Sequence, residues 1–297
     1  MPMTRAELAK RLGGSINGPW LNIPGRGHSK DDLSLGIFLD PSAPDGLRVH
    51  SFAGDDPAVC RAYVKKLLAE IATNGSIDIS LDDDALPHTK ADAHAGALRI
   101  WGQARPLDDT PAGTYLASRK CAPVEGEKWP ADLRFHPACP FGAFRFPALV
   151  ALMRDVITGE PTAILRTALE NDGSGKREMP DGGPSKMMLG PSKSAAVMLY
   201  PAALELGIGE GVETSLGAHR IFMTPVWAAL SAGGIRDFPV IYGVTFLRVF
   251  ADHDEAGLSA ARICRRRYEA AGIEVEVRHP PEFGSDWNDY LMKEFQT

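Results

Sequence analysis

The stretch Phe246-Leu247-Arg248-Val249-Phe250-Ala251-Asp252-His253-Asp254-Glu255-Ala256-Gly257 decides how this chain is read. A short apolar strand signal breaks into two acids one residue apart and then into a helix. In that helix Leu258, Ala261, Cys264 and Tyr268 recur at helical spacing, while Arg262, Arg265 and Arg266 fall elsewhere on the wheel. Gly272 ends it. Working outward, residues 203–209 form an apolar run ending in Gly and acid, 212–222 read as a helix and 226–230 as another strand. Residues 273–278 alternate as a strand, and Ser285 or Asp286 can cap a closing helix through Asp289, Leu291 and Met292. Strands alternating with helices predict an α/β unit whose mainly parallel sheet is covered on both faces.

In such a sheet, functional groups gather at the carboxyl ends of the strands. The acids stand there: Glu210 after the first strand, Asp252 and Asp254 after the third, Asp286 and Asp289 after the last. Any one of these could be a loop acid or a helix cap. Three clusters of hard oxygen ligands around one edge suit Mg²⁺, which keeps water and substrate phosphates beside a few carboxylates.

The 297 residues suit two compact units with a linker, and 44% hydrophobic with 24% charged residues excludes a wholly disordered chain. No apolar run is long enough for a membrane span, and Met1-Pro2-Met3-Thr4-Arg5-Ala6-Glu7 lacks a signal-peptide core, so a cytoplasmic protein is expected. Cys60, Cys121, Cys139 and Cys264 form no CxxC pair, which argues against a disulfide framework or a cysteine-rich zinc site. A net charge of −6 looks unlike a nucleic-acid binder. It is unevenly spread: residues 71–98 carry −4 and 204–297 carry −5, whereas 1–70 carry +1 and 99–203 carry +2. The acidic, polar stretch around Asp82-Asp83-Asp84 reads as a solvated linker.

Glu210-Gly211-Val212-Glu213-Thr214, Asp252-His253-Asp254-Glu255-Ala256-Gly257 and Gly284-Ser285-Asp286-Trp287-Asn288-Asp289 resemble, in order and strand context, the three signatures of the Toprim domain. The EGxET form and the DxND ending are similar to Toprim primases carried by plasmids and phages. The resemblance implies a Rossmann-like domain, with Glu210, Asp252, Asp254 and Asp286 as metal acids for Mg²⁺ or Mn²⁺ and Glu213 and Asp289 as secondary acids. The bacterial primase signature carries Asp where this chain has Thr214.

Upstream, Thr162-Ala163-Ile164-Leu165-Arg166 and Pro184-Ser185-Lys186-Met187-Met188-Leu189-Gly190 resemble the basic α+β subdomain that precedes Toprim in primases. That likeness makes Lys186, Arg166 and Arg154 candidates for triphosphate and template contacts, because polyphosphate and DNA need cations opposite the metal acids. Segments around 97–101 and 113–119 read as amphipathic helices of the scaffold. Gly25-Arg26-Gly27-His28 and Val49-His50-Ser51-Phe52-Ala53-Gly54-Asp55 resemble the primase zinc ribbon, but Ser51 and Asp55 stand where that module carries Cys. His28 and His50 cannot complete a structural zinc site, so no zinc is expected. The implied order is a zinc-ribbon-like unit over 1–70, an acidic linker over 71–96, a helical and basic subdomain over 97–200 and Toprim over 201–297.

Gly173-Ser174-Gly175-Lys176 fails as a P-loop, since position 170 is Glu and Arg177 replaces the metal-binding hydroxyl. Without a motor motif, unwinding falls to a separate helicase. The resemblance implies a DNA primase that joins nucleoside triphosphates on single-stranded DNA for plasmid, phage or other mobile-element replication. Toprim nucleases share the same acids, and a non-catalytic DNA-binding replication protein could keep the fold.

Overall fold

The computed structural model describes residues 3–17, 20–39, 46–72, 90–142, 144–180 and 182–294. The chain divides into two compact units, residues 1–88 with 180–183, and residues 89–179 with 184–297. In the first unit, helix α1 (Arg5–Arg11) starts at a capping box between Thr4 and Glu7. Strands β1 (Ser15–Asn17), β2 (Trp20–Ile23), β3 (Leu35–Leu39) and β4 (Leu47–Ser51) form an antiparallel sheet in sequential order, followed by helix α2 (Pro57–Ala72). Leu8, Leu21, Ile23, Leu35, Ile37, Cys60 and Val64 make its core. Ser51 Oγ donates to Asp55 Oδ2 at 2.8 Å, His28 Nε2 lies 3.4 Å from Asp55 Oδ1, and His28 Nδ1 pairs with Asp32. The residues at the zinc-ribbon positions thus hydrogen-bond among themselves, and the donor set is oxygen-rich rather than the N/S set of a structural zinc.

The second unit begins with helix α3 (Lys90–Gln103) and helix α4 (Pro111–Ser118), the latter capped by Thr110, whose Oγ1 accepts from Gly113 N. The stretch 71–96 is not all linker. Helix α2 runs through Ala72 and α3 starts at Lys90, where a run of alanines has the highest helix propensity. The remaining linker residues, 73–89, lie outside the described residues. Strands β5 (Leu133–Phe141), β6 (Phe144–Asp155), β7 (Pro161–Ala168) and β8 (Lys186–Leu189) build an antiparallel sheet in that order, and β9 (Ala195–Ala196) pairs with β6.

The chain then enters β10 (Glu205–Gly209), α5 (Val212–Phe222), β11 (Val226–Ala228), α6 (Ala232–Arg236), β12 (Phe246–Phe250), α7 (Glu255–Ala270), β13 (Glu274–Arg278) and α8 (Trp287–Glu294). The sheet is parallel throughout, ordered β11-β10-β12-β13, so the expected α/β unit is present. Its strands bury both faces. Leu206, Ile208 and Val249 pack with Ala260, Ala261, Cys264 and Tyr268, whereas Phe250 and Val226 pack with Ala218 and Trp287. Gly209 lies opposite Phe250, and Phe250 opposite Arg278. This level register brings the segments after β10, β12 and β13 to one edge. Gly217 lets α5 and α8 approach closely, for a Cβ there would sit 3.1 Å from the Trp287 carbonyl oxygen.

Candidate active site

Glu210 leaves β10 just before α5, and the nearby Ala232 backbone N–H favours its charged form. Burial and the Asp254 and Asp286 charges raise the Glu210 pKa. Asp252 follows β12, and burial together with Glu210, Asp286, Asp254 and Asp289 pushes its carboxyl up to about 7. Its Oδ1 is buried without a hydrogen-bond partner. Asp254 caps α7, accepting from Gly257 N at 2.7 Å through Oδ1. Asp286 caps α8, accepting from Asn288 N at 2.7 Å and Asp289 N at 2.8 Å. The acids after three strands therefore repel one another across one edge. Among the described residues no three His, Cys, Asp or Glu groups close into a cage. The orphaned Asp252 oxygen and the mutually repelling carboxylates around it nevertheless fit a divalent cation that keeps part of its shell for water and phosphate. The Asp289 carboxylate is partly engaged, lying 3.6 Å from Arg119 Nη2 and accepting weakly from Asp286 N at 3.4 Å.

Thr214 Oγ1 donates to Asp286 Oδ2 at 3.1 Å, so the hydroxyl standing at the signature's acid position orients another acid. Glu213 does something different from the metal acids. Tyr115 Oη donates to its Oε1 at 2.8 Å, Lys176 Nζ lies 3.2 Å from the same oxygen, and Lys186 Nζ donates to Oε2 at 2.9 Å. Burial pushes the Glu213 carboxyl up, but the Lys186 and Lys176 ammoniums outweigh it and hold it at about 2. Both of its oxygens are spoken for.

Lys186 is therefore held at the first turn of α5, whereas Arg154 and Arg166 are committed elsewhere. Arg154 grips Asp132 with two hydrogen bonds of 2.7 and 2.8 Å and donates a third to the Gly159 carbonyl. Arg166 is only 7% exposed, donates to the Pro140 carbonyl at 2.6 Å and lies over the Phe141 ring. Both guanidiniums are thus engaged by partners within the chain. Lys176 and Tyr115 escape a motif reading: Tyr115 lies 98 positions from its partner, and Lys176 sits in a segment that resembles a P-loop without being one. The paired charge on Glu213 is the signal that joins them. A cavity of about 300 Å³ is lined by Met153, Met188, Lys193, Leu230, Ser231 and Asp237 among others; Leu230 N donates to the Glu210 backbone carbonyl at 2.8 Å, but none of the four acids lines it.

A parallel four-stranded sheet with carboxylates after three of its strands is the Toprim arrangement. Residues 205–296 match the Toprim domain, and residues 91–199 match a domain of unknown function (DUF7146). The C-terminal third of the chain is a Toprim domain. No curated protein matches the chain. Among solved structures, the primase fragment of the bacteriophage T7 primase-helicase protein is 17% identical with a TM-score of 0.40, over 56% of this chain and 64% of that one. The chain thus spans less than two thirds of that fragment. The Aquifex aeolicus primase (zinc binding and RNA polymerase domains) is 17% identical with a TM-score of 0.41, covering 88% of this chain and 76% of that one. The RNA polymerase domain of Mycobacterium tuberculosis primase DnaG, in complex with double-stranded DNA, is 18% identical with a TM-score of 0.39, covering 69% and 76%. Among the described residues no helix is long and apolar enough to cross a membrane.

Proposed function

We propose that the chain is a primase-type nucleotidyltransferase that joins nucleoside triphosphates on a single-stranded DNA template. The observation that carries this reading is the juxtaposition of mutually repelling acids, Glu210, Asp252, Asp254 and Asp286, with the lysine-bearing Glu213 in the first turn of α5. Asp252 and Asp254 would hold Mg²⁺ or Mn²⁺, with Glu210 and Asp286 contributing directly or through water. When bound, the ion supplies charge neutralisation at the reacting phosphate and the leaving pyrophosphate. Lys186 binds the triphosphate through the donors that Glu213 does not use. Where Glu210 does not itself hold the ion, burial and Asp254 make it the more basic carboxylate and it takes the proton of the attacking 3′-hydroxyl. The oxygen–phosphorus bond to the α-phosphate forms as the bond to pyrophosphate breaks. Thr214 and the α8 backbone N–H groups keep the Asp286 carboxylate in one orientation.

Labelled-nucleotide incorporation on single-stranded DNA tests the reading. We expect oligomers with Mg²⁺ or Mn²⁺, and none from Asp252→Ala at unchanged fold. Metal-dependent DNA cleavage without synthesis would replace this reading with a nuclease. Failure to bind either metal would leave a non-catalytic DNA-binding protein.

A further inference from the structure

One lysine would suffice to neutralise Glu213, yet two converge on it. The Glu213 side chain is 7% exposed, while those of Lys176 and Lys186 are 38% and 34% exposed. The cluster therefore carries one surplus positive charge, on side chains that are partly open to solvent. Gathering them is costly: burial and the neighbouring Lys186 both lower the Lys176 pKa, against the opposing pull of Glu213. A buried ion cluster is by itself weak evidence of a stabilising role.

The backbone nevertheless holds Lys176 there. Glu170 N donates to the Gly175 carbonyl and Gly173 N to the Glu170 carbonyl, closing a tight turn that places Lys176 in an antiparallel bridge with the fully buried Leu169. Gly173 has φ +76°, and a Cβ on it would lie 2.2 Å from the Pro111 carbonyl oxygen, so the turn is pressed against the start of α4. Lys186 arrives from β8, paired with Thr167. The Glu213 Oε2 that receives Lys186 lies 3.9 Å from where a Cβ on Gly211 would stand, at the residue adjoining Glu210. The lysine pair thus borders the turn that carries the first acid.

We propose that Lys176 joins Lys186 at the polyphosphate tail of a nucleoside triphosphate, with the buried Glu213 that grips both lysines as the positioning residue. The nucleotide identity rests on the nucleotidyl-transfer reading above; the polyphosphate chemistry rests on the cluster. Each ammonium has three donors and gives one to Glu213, leaving two for phosphate oxygens. Holding two flexible side chains by one fixed carboxylate reduces what they lose on binding.

Calorimetric titration of the full chain with inorganic tripolyphosphate in EDTA reads the site without metal or catalysis. We expect wild-type binding, a loss on the order of tenfold in Lys176→Met, and recovery in Lys176→Arg. Glu213→Gln separates positioning from bulk charge. It adds one positive charge, so an electrostatic effect alone would tighten tripolyphosphate; positioning predicts weaker binding and, in primer synthesis, a raised KM for nucleotide with little change in kcat. Lys176→Met, at a half-exposed side chain, keeps the test open if Glu213→Gln does not fold. No wild-type binding, unchanged binding in Lys176→Met or tighter binding in Glu213→Gln overturns the proposal. Primer synthesis with an indifferent Lys176→Met would sink the lysine site alone, whereas Lys176-dependent tripolyphosphate binding without synthesis would sustain the site and sink the primase reading.

Discussion

Thr214 Oγ1 donates to Asp286 Oδ2 across 3.1 Å, tying the first turn of α5 to the cap of α8. The two residues lie 72 positions apart, yet the bond fixes the carboxylate oxygen that the α8 backbone leaves unused. Thr214→Val keeps the shape and removes the donor. We expect Mn²⁺ affinity to fall about tenfold, the lower end for losing a group that orients a metal ligand, with thermal stability shifted by no more than ~1 kcal/mol. Equal affinities in a Mn²⁺ titration of the two proteins would show that the bond orients nothing of consequence.

Asp252 gives the metal-free protein a pH dependence of definite sign. Its folded pKa is raised from 3.8 to about 7. Between those values the folded chain keeps a proton that the unfolded chain has released, so stability falls as pH rises through the window. Thermal melts in EDTA should show this slope, and Asp252→Asn should flatten it. Mg²⁺ and Mn²⁺ should bind more tightly as pH rises through 7, because the ligand must first lose its proton.

Glu213 acts in the opposite sense. Its folded pKa is lowered from 4.5 to about 2, so between those values the unfolded chain takes up a proton that the folded chain refuses. The stabilisation is fully present above pH 4.5 and drains away as pH falls toward 2. Glu213→Gln should lose stability at neutral pH and show a shallower acid limb. A mutant acid limb parallel to that of the wild type would contradict the two-lysine grip.

What was legible in the sequence follows from how locally each feature is encoded. Helix 212–222 and strand 246–250 carry their own apolar periodicity, and the acids after β10 and β12 need only the strand ends to be placed. Asp286 as the cap of α8 is equally local. Helix α3 is legible around 97–101 but its first turns hide, because their alanines and polar residues lack an apolar stripe and join an acidic stretch. The partners of Glu213 come from α4, from the turn before Arg177 and from β8, and only tertiary packing assembles them. Cationic side chains were the least legible. Lys186, Arg166 and Arg154 look alike in sequence, but one is paired with Glu213, one is buried over a phenyl ring, and one is held by an acid on the neighbouring strand's approach. The −6 charge likewise said little until the acids were seen to converge where a cation fits.

Arg154 offers a test of that last distinction. Its partner Asp132 has a side chain only 6% exposed, and the bidentate pair ties the residue before β5 to the far end of β6. Removing the guanidinium strands a buried carboxylate, which costs more than the pair contributes when intact. We expect Arg154→Ala to destabilise the chain by ~3 kcal/mol, the low end for breaking a buried pair because Arg154 itself is partly exposed. Asp132→Asn with Arg154→Met should recover much of that loss, since no buried charge is then left unpaired. DNA affinity, measured by fluorescence anisotropy below the unfolding range, should stay at the wild-type value in the double variant. A weakened affinity at restored stability would make Arg154 a template contact as well as the partner of Asp132.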